Sequence, residues 1–290
     1  MVSIVPEDLF NRDGAIYMGA RRDPTGCTVG LFGVPYDGTT SFRPGTRFGP
    51  AAIRQVSDGL ETYDPQLDAD LEDIAYCDLG AVEISFGAPE PVVDATREAT
   101  EAVMGLGLKP LMLGGEHSIS SGAVAAVAAR HPDLVLLQLD AHADLRDHWL
   151  GGRHSHACAM RRCLEVLPSR ELLQLAIRSG TREEFSELHR QQRLVSLEQL
   201  PVRLAAIAGR PLYLTVDLDW FDPAVMPGTG TPEPGGFAWV DFARLIDLLH
   251  GQNLVGADVV ELAPGLDNSG CSSVLAAKVV RSLLIRLAGC

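Results

Sequence analysis

Three short runs of this 290-residue chain place His and Asp side chains at spacings suited to holding cations. Gly114-Gly115-Glu116-His117 offers an imidazole, Asp140-Ala141-His142-Ala143-Asp144 alternates carboxylate and imidazole, and Asp217-Leu218-Asp219 adds two further carboxylates. A straight strand would spread residues 140, 142 and 144 over roughly 13 Å at ~3.3 Å per residue, too far for one ion to hold all three. They converge only if the chain curls after Asp140, as it does on leaving a strand for a loop. Carboxylates gathered within a few ångströms repel one another unless cations lie between them. Two divalent ions would balance the four aspartates, so the pattern predicts a binuclear site. Carboxylate-rich donors with some imidazole and no thiolate favour Mn²⁺ over the tetrahedral Cys/His geometry of structural Zn²⁺, with Mg²⁺, Co²⁺ and Zn²⁺ left open. Singly, each run has a plainer reading, since a lone histidine after glycines is commonly structural and Asp-x-Asp is commonly a solvated turn. Their joint occurrence at three strand ends carries the expectation of a metal site.

The elements that must present these runs are legible as short apolar stretches. Strands are expected over residues 28–34, 74–79, 110–113, 134–139, 172–177, 212–216 and 254–260, several of them apolar throughout, as strands covered on both faces should be. Helical patterns fall between them, at 91–107, 120–130, 240–249 and 272–287. The alternation predicts an α/β fold, a mainly parallel sheet with helices on both faces and ligands at the carboxyl ends of the strands. Residues 1–290 read as a single domain, and the Gly/Pro-rich stretches 43–50 and 227–236 as ordered loops.

Composition excludes several classes of partner. With 24 Lys+Arg against 38 Asp+Glu the formal charge is −14, and no basic stripe is present. Phosphate backbones and anionic lipid surfaces would repel such a chain, so nucleic acid and membrane are not expected partners, whereas a neutral or cationic small molecule is. No apolar run approaches the ~18 residues of a membrane span, and Glu7 and Asp8 stand where a signal peptide needs basic and apolar residues. The expected location is the cytoplasm. The six cysteines form no CxxC pair, which suits reduced thiols.

The motifs together resemble those of the ureohydrolases, the family of arginases and agmatinases. To Gly114–His117 and Asp140–Asp144 they add Thr215-Val-Asp-Leu-Asp-Trp-Phe-Asp-Pro223, the segment Asp258-Val-Val-Glu-Leu-Ala-Pro264, and an N-terminal block, Gly33-Val-Pro-Tyr-Asp-Gly-Thr-Thr-Ser-Phe-Arg-Pro-Gly-Thr-Arg-Phe-Gly-Pro50, similar to the agmatinase branch. The resemblance implies a three-layer α/β/α fold around a mainly parallel eight-stranded sheet, and a homo-oligomer, hexamer or trimer. It implies two Mn²⁺ per chain, one held by His117, Asp140, Asp144 and Asp217 and the other by Asp140, His142, Asp217 and Asp219. It further implies that Glu261 contacts the substrate guanidinium and that a histidine in the loop after Asp144 assists proton transfer. That loop contains His154 and His156, and His156 is preferred because it stands in the Ser-His position that opens the following helix.

The activity so implied is hydrolysis of agmatine to putrescine and urea. Other guanidine specificities remain alternatives: guanidinobutyrase, guanidinopropionase, arginase or formiminoglutamase, and beyond them a catalytically dead regulatory homologue. An ammonium terminus calls for acidic or carbonyl groups and no arginine, whereas a carboxylate calls for a cation. Arg43 and Arg153 would suit a carboxylate if they turned inward, but both read as surface or structural arginines. Asp147 would help receive an amine, and Trp149 would line the entrance, where a cation could rest on its indole. A one-metal deacetylase is disfavoured because His117, Asp144 and Asp219 are all present.

Overall fold

The computed structural model describes residues 9–85 and 87–290; Glu7 and Asp8 lie outside the described residues. Among these, nine strands form one sheet: β1 (Phe10–Asn11), β2 (Val29–Val34), β3 (Tyr76–Val82), β4 (Lys109–Gly114), β5 (Val135–Leu139), β6 (Glu171–Leu175), β7 (Leu194–Val195), β8 (Pro211–Asp217) and β9 (Asn253–Val260). They lie in the order β1-β3-β2-β4-β9-β8-β5-β6-β7. Eight are parallel, and the two-residue β1 closes one edge antiparallel to β3.

The alternation of side chains along each strand builds two cores. Leu31, Leu111, Leu113, Leu137, Leu214 and Val216 face one side, where they meet α1 (Gly49–Ser57), α6 (Leu200–Ala206), α7 (Trp239–Leu248) and α8 (Cys271–Ala288). Phe32, Met112, Leu136, Tyr213 and Val260 face the other, under α2 (Pro89–Gly105), α3 (Ser120–Arg130), α4 (Ala159–Val166) and α5 (Arg182–Arg190). This is the three-layer α/β/α arrangement, and its strands are largely apolar because both faces are covered.

Two features depart from the pattern in the sequence. The stretch 43–50 is only partly a loop, because Thr46–Phe48 forms a 3₁₀ turn and α1 begins at Gly49 with Pro50 in its first turn, where a missing N–H costs nothing. Helix α5 escapes the apolar periodicity, since only Glu184 and Leu188 of its nine residues are buried. Its start is instead written in a capping box, Thr181 accepting from Glu184 N while the Glu184 carboxylate accepts from Thr181 N.

At the centre of the sheet β4, β9, β8 and β5 are neighbours, and their carboxyl ends open on one side. Everything the sequence offers as a ligand leaves from these four ends.

Candidate metal centre

β4 ends in a turn that only glycine permits at its second position, because a Cβ on Gly115 would collide with the Tyr36 carbonyl. The turn delivers His117, fully buried, with Nδ1 3.0 Å from Asp140 Oδ2, 3.2 Å from Asp144 Oδ2 and 3.4 Å from Asp217 Oδ2. No directed hydrogen bond satisfies that nitrogen. The opposite nitrogen, Nε2, lies 2.8 Å from Thr215 Oγ1, and Thr215 donates its hydroxyl proton to Asp258 Oδ1 at 2.6 Å. Having given that proton away, Thr215 can only accept from His117, so Nε2 carries a hydrogen and Nδ1, facing three carboxylates, is left to bind a proton or a metal ion. A lone pair aimed at anions is unfavourable unless a cation stands between them, and this orphaned atom is the feature that fits a metal ion.

Asp140 is fully buried at the end of β5 and serves both sides, with Oδ2 toward His117 and Oδ1 3.7 Å from His142 Nδ1. His142 in turn lies 2.9 Å from Asp219 Oδ2. Among the described residues the donor atoms therefore fall into two groups, His117/Asp140/Asp217 and Asp140/His142/Asp219, each spanning at most 4.8 Å and sharing Asp140. Asp144 joins the first through His117. The chain curls where the spacing requires it to, for Asp144 has φ 51°, a left-handed conformation outside a straight strand. Glu261, just beyond β9, has φ 68° and accepts from His117 N at 2.8 Å. All six candidate ligands and Glu261 thus meet at one end of the sheet.

The surroundings hold these groups in place. Gln138 donates to Asp140 Oδ2 at 2.6 Å and is itself bonded by Gln174 at 2.6 Å, while Tyr213 donates to Asp258 at 2.9 Å. Backbone amides of Ala141 and Asp219 bond the carboxylates of Asp219 and Asp217 at 3.0 and 2.9 Å. These supporting residues were not singled out from sequence. A signal was nonetheless present: Gln138 and Thr215 are polar residues inside otherwise apolar strands, each two positions before a ligand and hence on its face.

Crowding sets the protonation. Burial and the neighbouring Asp140 push Asp144 up to about 7, and burial with Asp219 and Asp140 pushes Asp217 well above the usual carboxylate range. Burial alone would lower both ligand imidazoles, but the carboxylates hold His117 well above its ordinary value and raise His142 to about 12. For Asp140 burial is outweighed by His117 and His142, and its value falls. Burial, with Glu116 adding to it, raises Glu261 well above its ordinary value. A centre that so retains protons among its carboxylates is one that divalent cations would discharge.

A cavity of about 210 Å³ opens beside the second group, with Ser41, His142, Asp144, Arg146, Trp149 and His156 in its wall. His156 contributes from the 3₁₀ turn His156–Cys158 that leads into α4, with Nε2 3.0 Å from Ser41 Oγ. Burial, and then His142 and His117 beside it, push its imidazole down to about 4. His148 and His154 lie outside the cavity wall, so of the three loop histidines only His156 lines it. Arg43 is spent on the carbonyls of Thr229 and Gly230, and Arg153 on Glu165 at 2.9 Å. Neither lines the cavity.

One expectation for the loop is corrected, while Trp149 does line the cavity. Asp147 is taken by Arg162 at 2.6 Å and His148 at 2.8 Å and stays out of the cavity wall. The Trp149 indole is already covered by a cation of the chain itself, the Arg146 guanidinium, 3.9 Å from the ring centroid. Arg146 is a cavity residue that the sequence reading passed over, lying 3.8 Å from the buried Glu184.

Comparison with known proteins follows the same lines. The arginase family model matches residues 27–285. An agmatinase of Bacillus subtilis is 37% identical over 278 residues, covering 94% of this chain and 96% of the relative. A guanidinobutyrase of Pseudomonas aeruginosa is 35% identical, with 89% and 85% covered. The solved structure of an agmatine ureohydrolase of Thermoplasma volcanium superposes with a TM-score of 0.79 at 35% identity, covering 89% of each chain. With the family model matched over residues 27–285 and relatives matched over most of its length, the chain belongs to the arginase family.

Proposed function

We propose that this amidine C–N hydrolase is a binuclear manganese agmatinase, cleaving agmatine to putrescine and urea. The observation that carries the reading is the pair of His/Asp groups sharing Asp140, each built around an imidazole nitrogen aimed at carboxylates. His117, Asp140, Asp144 and Asp217 would hold one Mn²⁺, and Asp140, His142, Asp217 and Asp219 the other. When bound, such a pair of ions neutralises the four carboxylates and supplies a nucleophilic water at neutral pH.

The chain's own residues do the rest. Glu261 is buried among like charges that favour its neutral form, so an arriving guanidinium is the counter-charge that allows it to ionise. The carboxylate then orients the guanidinium by a charge-assisted hydrogen bond. His156 moves the proton that the leaving amine requires. With a value near 4 it is unprotonated at neutral pH, so it acts as a relay that first receives a proton and then passes it on, rather than as a resident acid.

Agmatine is favoured by the agmatinase relative and structure, and by neutralisation of Arg146 through Glu184 and its stacking on Trp149. A guanidino acid is the second reading, supported by Arg146 in the cavity wall, a cation that would receive a carboxylate. Steady-state urea release separates them. Agmatine is expected to give the highest kcat/KM across a panel of guanidines, and faster turnover of 4-guanidinobutyrate would overturn the choice. Elemental analysis of protein prepared with Mn²⁺ should find two ions per chain. The reading extends to a cytoplasmic homo-oligomer: no helix among the described residues is long and apolar enough to cross a membrane, and Phe42, Phe48 and Leu150 stand exposed as contact candidates.

A further inference from the structure

The N-terminal block supplies no metal ligand, yet it reaches the centre of the molecule. Its residues between β2 and the turn at Thr46 form no regular element, so side chains must fix their path. Asp37, 5% exposed, closes the loop on itself, accepting from Gly45 N at 2.9 Å and pairing with the Arg47 guanidinium. Glu116 ties the loop to the site. It is fully buried in the turn after β4, immediately before His117, where an acid without partners would be costly. Its Oε2 accepts from Thr39 N at 2.7 Å, and its Oε1 from the hydroxyls of Thr39 and, at 2.5 Å, Ser118.

The consequence lies at Thr39. Its hydroxyl proton is committed to Glu116, which turns the oxygen's lone pairs the other way, and one of them accepts from His156 N at 3.0 Å. Two residues on, Ser41 Oγ meets His156 Nε2 at 3.0 Å. The backbone and the ring of His156 are therefore held by two side chains of one short segment, whose own position is set by the buried carboxyl of Glu116. These contacts cross 115 to 117 positions of sequence, so they cannot arise from local turn geometry.

We infer that the segment Thr39–Ser41, anchored by Glu116, is a positioning device for His156: Thr39 fixes where its backbone starts α4 and Ser41 fixes where its imidazole stands in the cavity. The inference rests on the reading of His156 as the proton relay. A relay must stand within hydrogen-bond reach of both its proton donor and its acceptor, and displacement by about 1 Å can cost on the order of 10²-fold in rate. None of the three residues is required to touch the substrate for this role.

The test is a double-mutant cycle on the Mn²⁺-loaded full chain, reading kcat, KM, metal content and Tm. Thr39→Val removes both the donor to Glu116 and the acceptor for His156 N, and is expected to lower kcat by about 10-fold or more with metal content kept and KM little changed. Thr39→Ser, which keeps the hydroxyl, should restore kcat. Glu116→Gln must turn an amide N–H₂ toward a Thr39 donor and should fall with Thr39→Val. In a His156→Asn background, itself lowered by about 10²-fold or more, Thr39→Val should cost nothing further, because the group it positions is gone. Equal fold losses in both backgrounds would overturn the inference while leaving the relay reading intact. Unchanged turnover in His156→Asn would remove the relay reading and the inference with it. Should Thr39→Val fail to fold, Ser41→Ala, which leaves the Glu116 contacts untouched, carries the same cycle with the same two outcomes.

Discussion

Asp140 is the residue on which the two halves of the centre depend, because each of its oxygens faces a different imidazole. Asp140→Asn would keep the shape but replace one acceptor by an N–H₂ donor and remove a charge both ions need. The expected outcome is fewer than two Mn²⁺ per chain by elemental analysis, and full occupancy would argue against a shared ligand. The ligand types and their spacing were open to reading from sequence because a metal site is assembled from few residue types, and these stood at strand ends. The protonation of His156 was not. A free imidazole titrates near 6.5, and only burial, with His142 and His117 beside it, pushes this one down to about 4.

Strands β4, β9, β8 and β5 matter as a set, because their adjacency is what turns separate motifs into one centre. The apolar runs revealed these strands, but their lateral order could not be read from them, since parallel strands joined by helices carry no hairpin to fix neighbours. The same strands, together with β6, carry the support for the candidate ligands on the face under α2–α5, where Tyr213, Thr215, Asp258, Gln138 and, on β6, Gln174 replace apolar side chains. Thr215→Val deletes the acceptor that holds the proton on His117 Nε2 while preserving volume. Mn²⁺ affinity at the His117 group should fall by about 10- to 100-fold in a metal titration, with the second group less affected. Equal weakening at both would show that Thr215 acts through general packing. Short elements resisted sequence reading for a different reason: β1 and β7 are two residues each, too brief to display any period.

Across the whole molecule, the centre couples stability to pH and metal. Without cations the native state keeps protons that the unfolded chain would release: Asp144 is raised to about 7, and His142 to about 12. The raised carboxyl becomes unfavourable as pH climbs from about 4 to about 7, and the stabilising charge on a raised histidine is progressively lost toward its folded value, so both effects have the same sign. Asp140, shifted downward, contributes its opposite dependence only below about pH 4, and His156, lowered to about 4, opposes only up to about pH 6.5. Chelator-treated protein should therefore lose Tm as pH rises from 6.5 to 8, while the Mn²⁺-loaded protein should not, so the gap between them widens with pH. A gap that shrank would mean the ions do not replace these protons. The formal charge of −14 belongs to the same account, since the four ligand aspartates contribute to it.

The left-handed backbone at Asp144 and Glu261 sets the site against the fold that carries it. Such a conformation costs an L-residue roughly 1 kcal/mol or more relative to glycine, and here it is imposed on two carboxyl-bearing side chains packed among other acids. Glycine at either position would relax the backbone and remove a crowded buried acid at once, at position 261 against the loss of the acceptor for His117 N, so at Asp144 above all damage to the centre meets little resistance in folding free energy. A duplicate of this chain released from selection for catalysis would be expected to shed its site first and keep its architecture. Persistence of both residues in a lineage is therefore a record of activity rather than of stability.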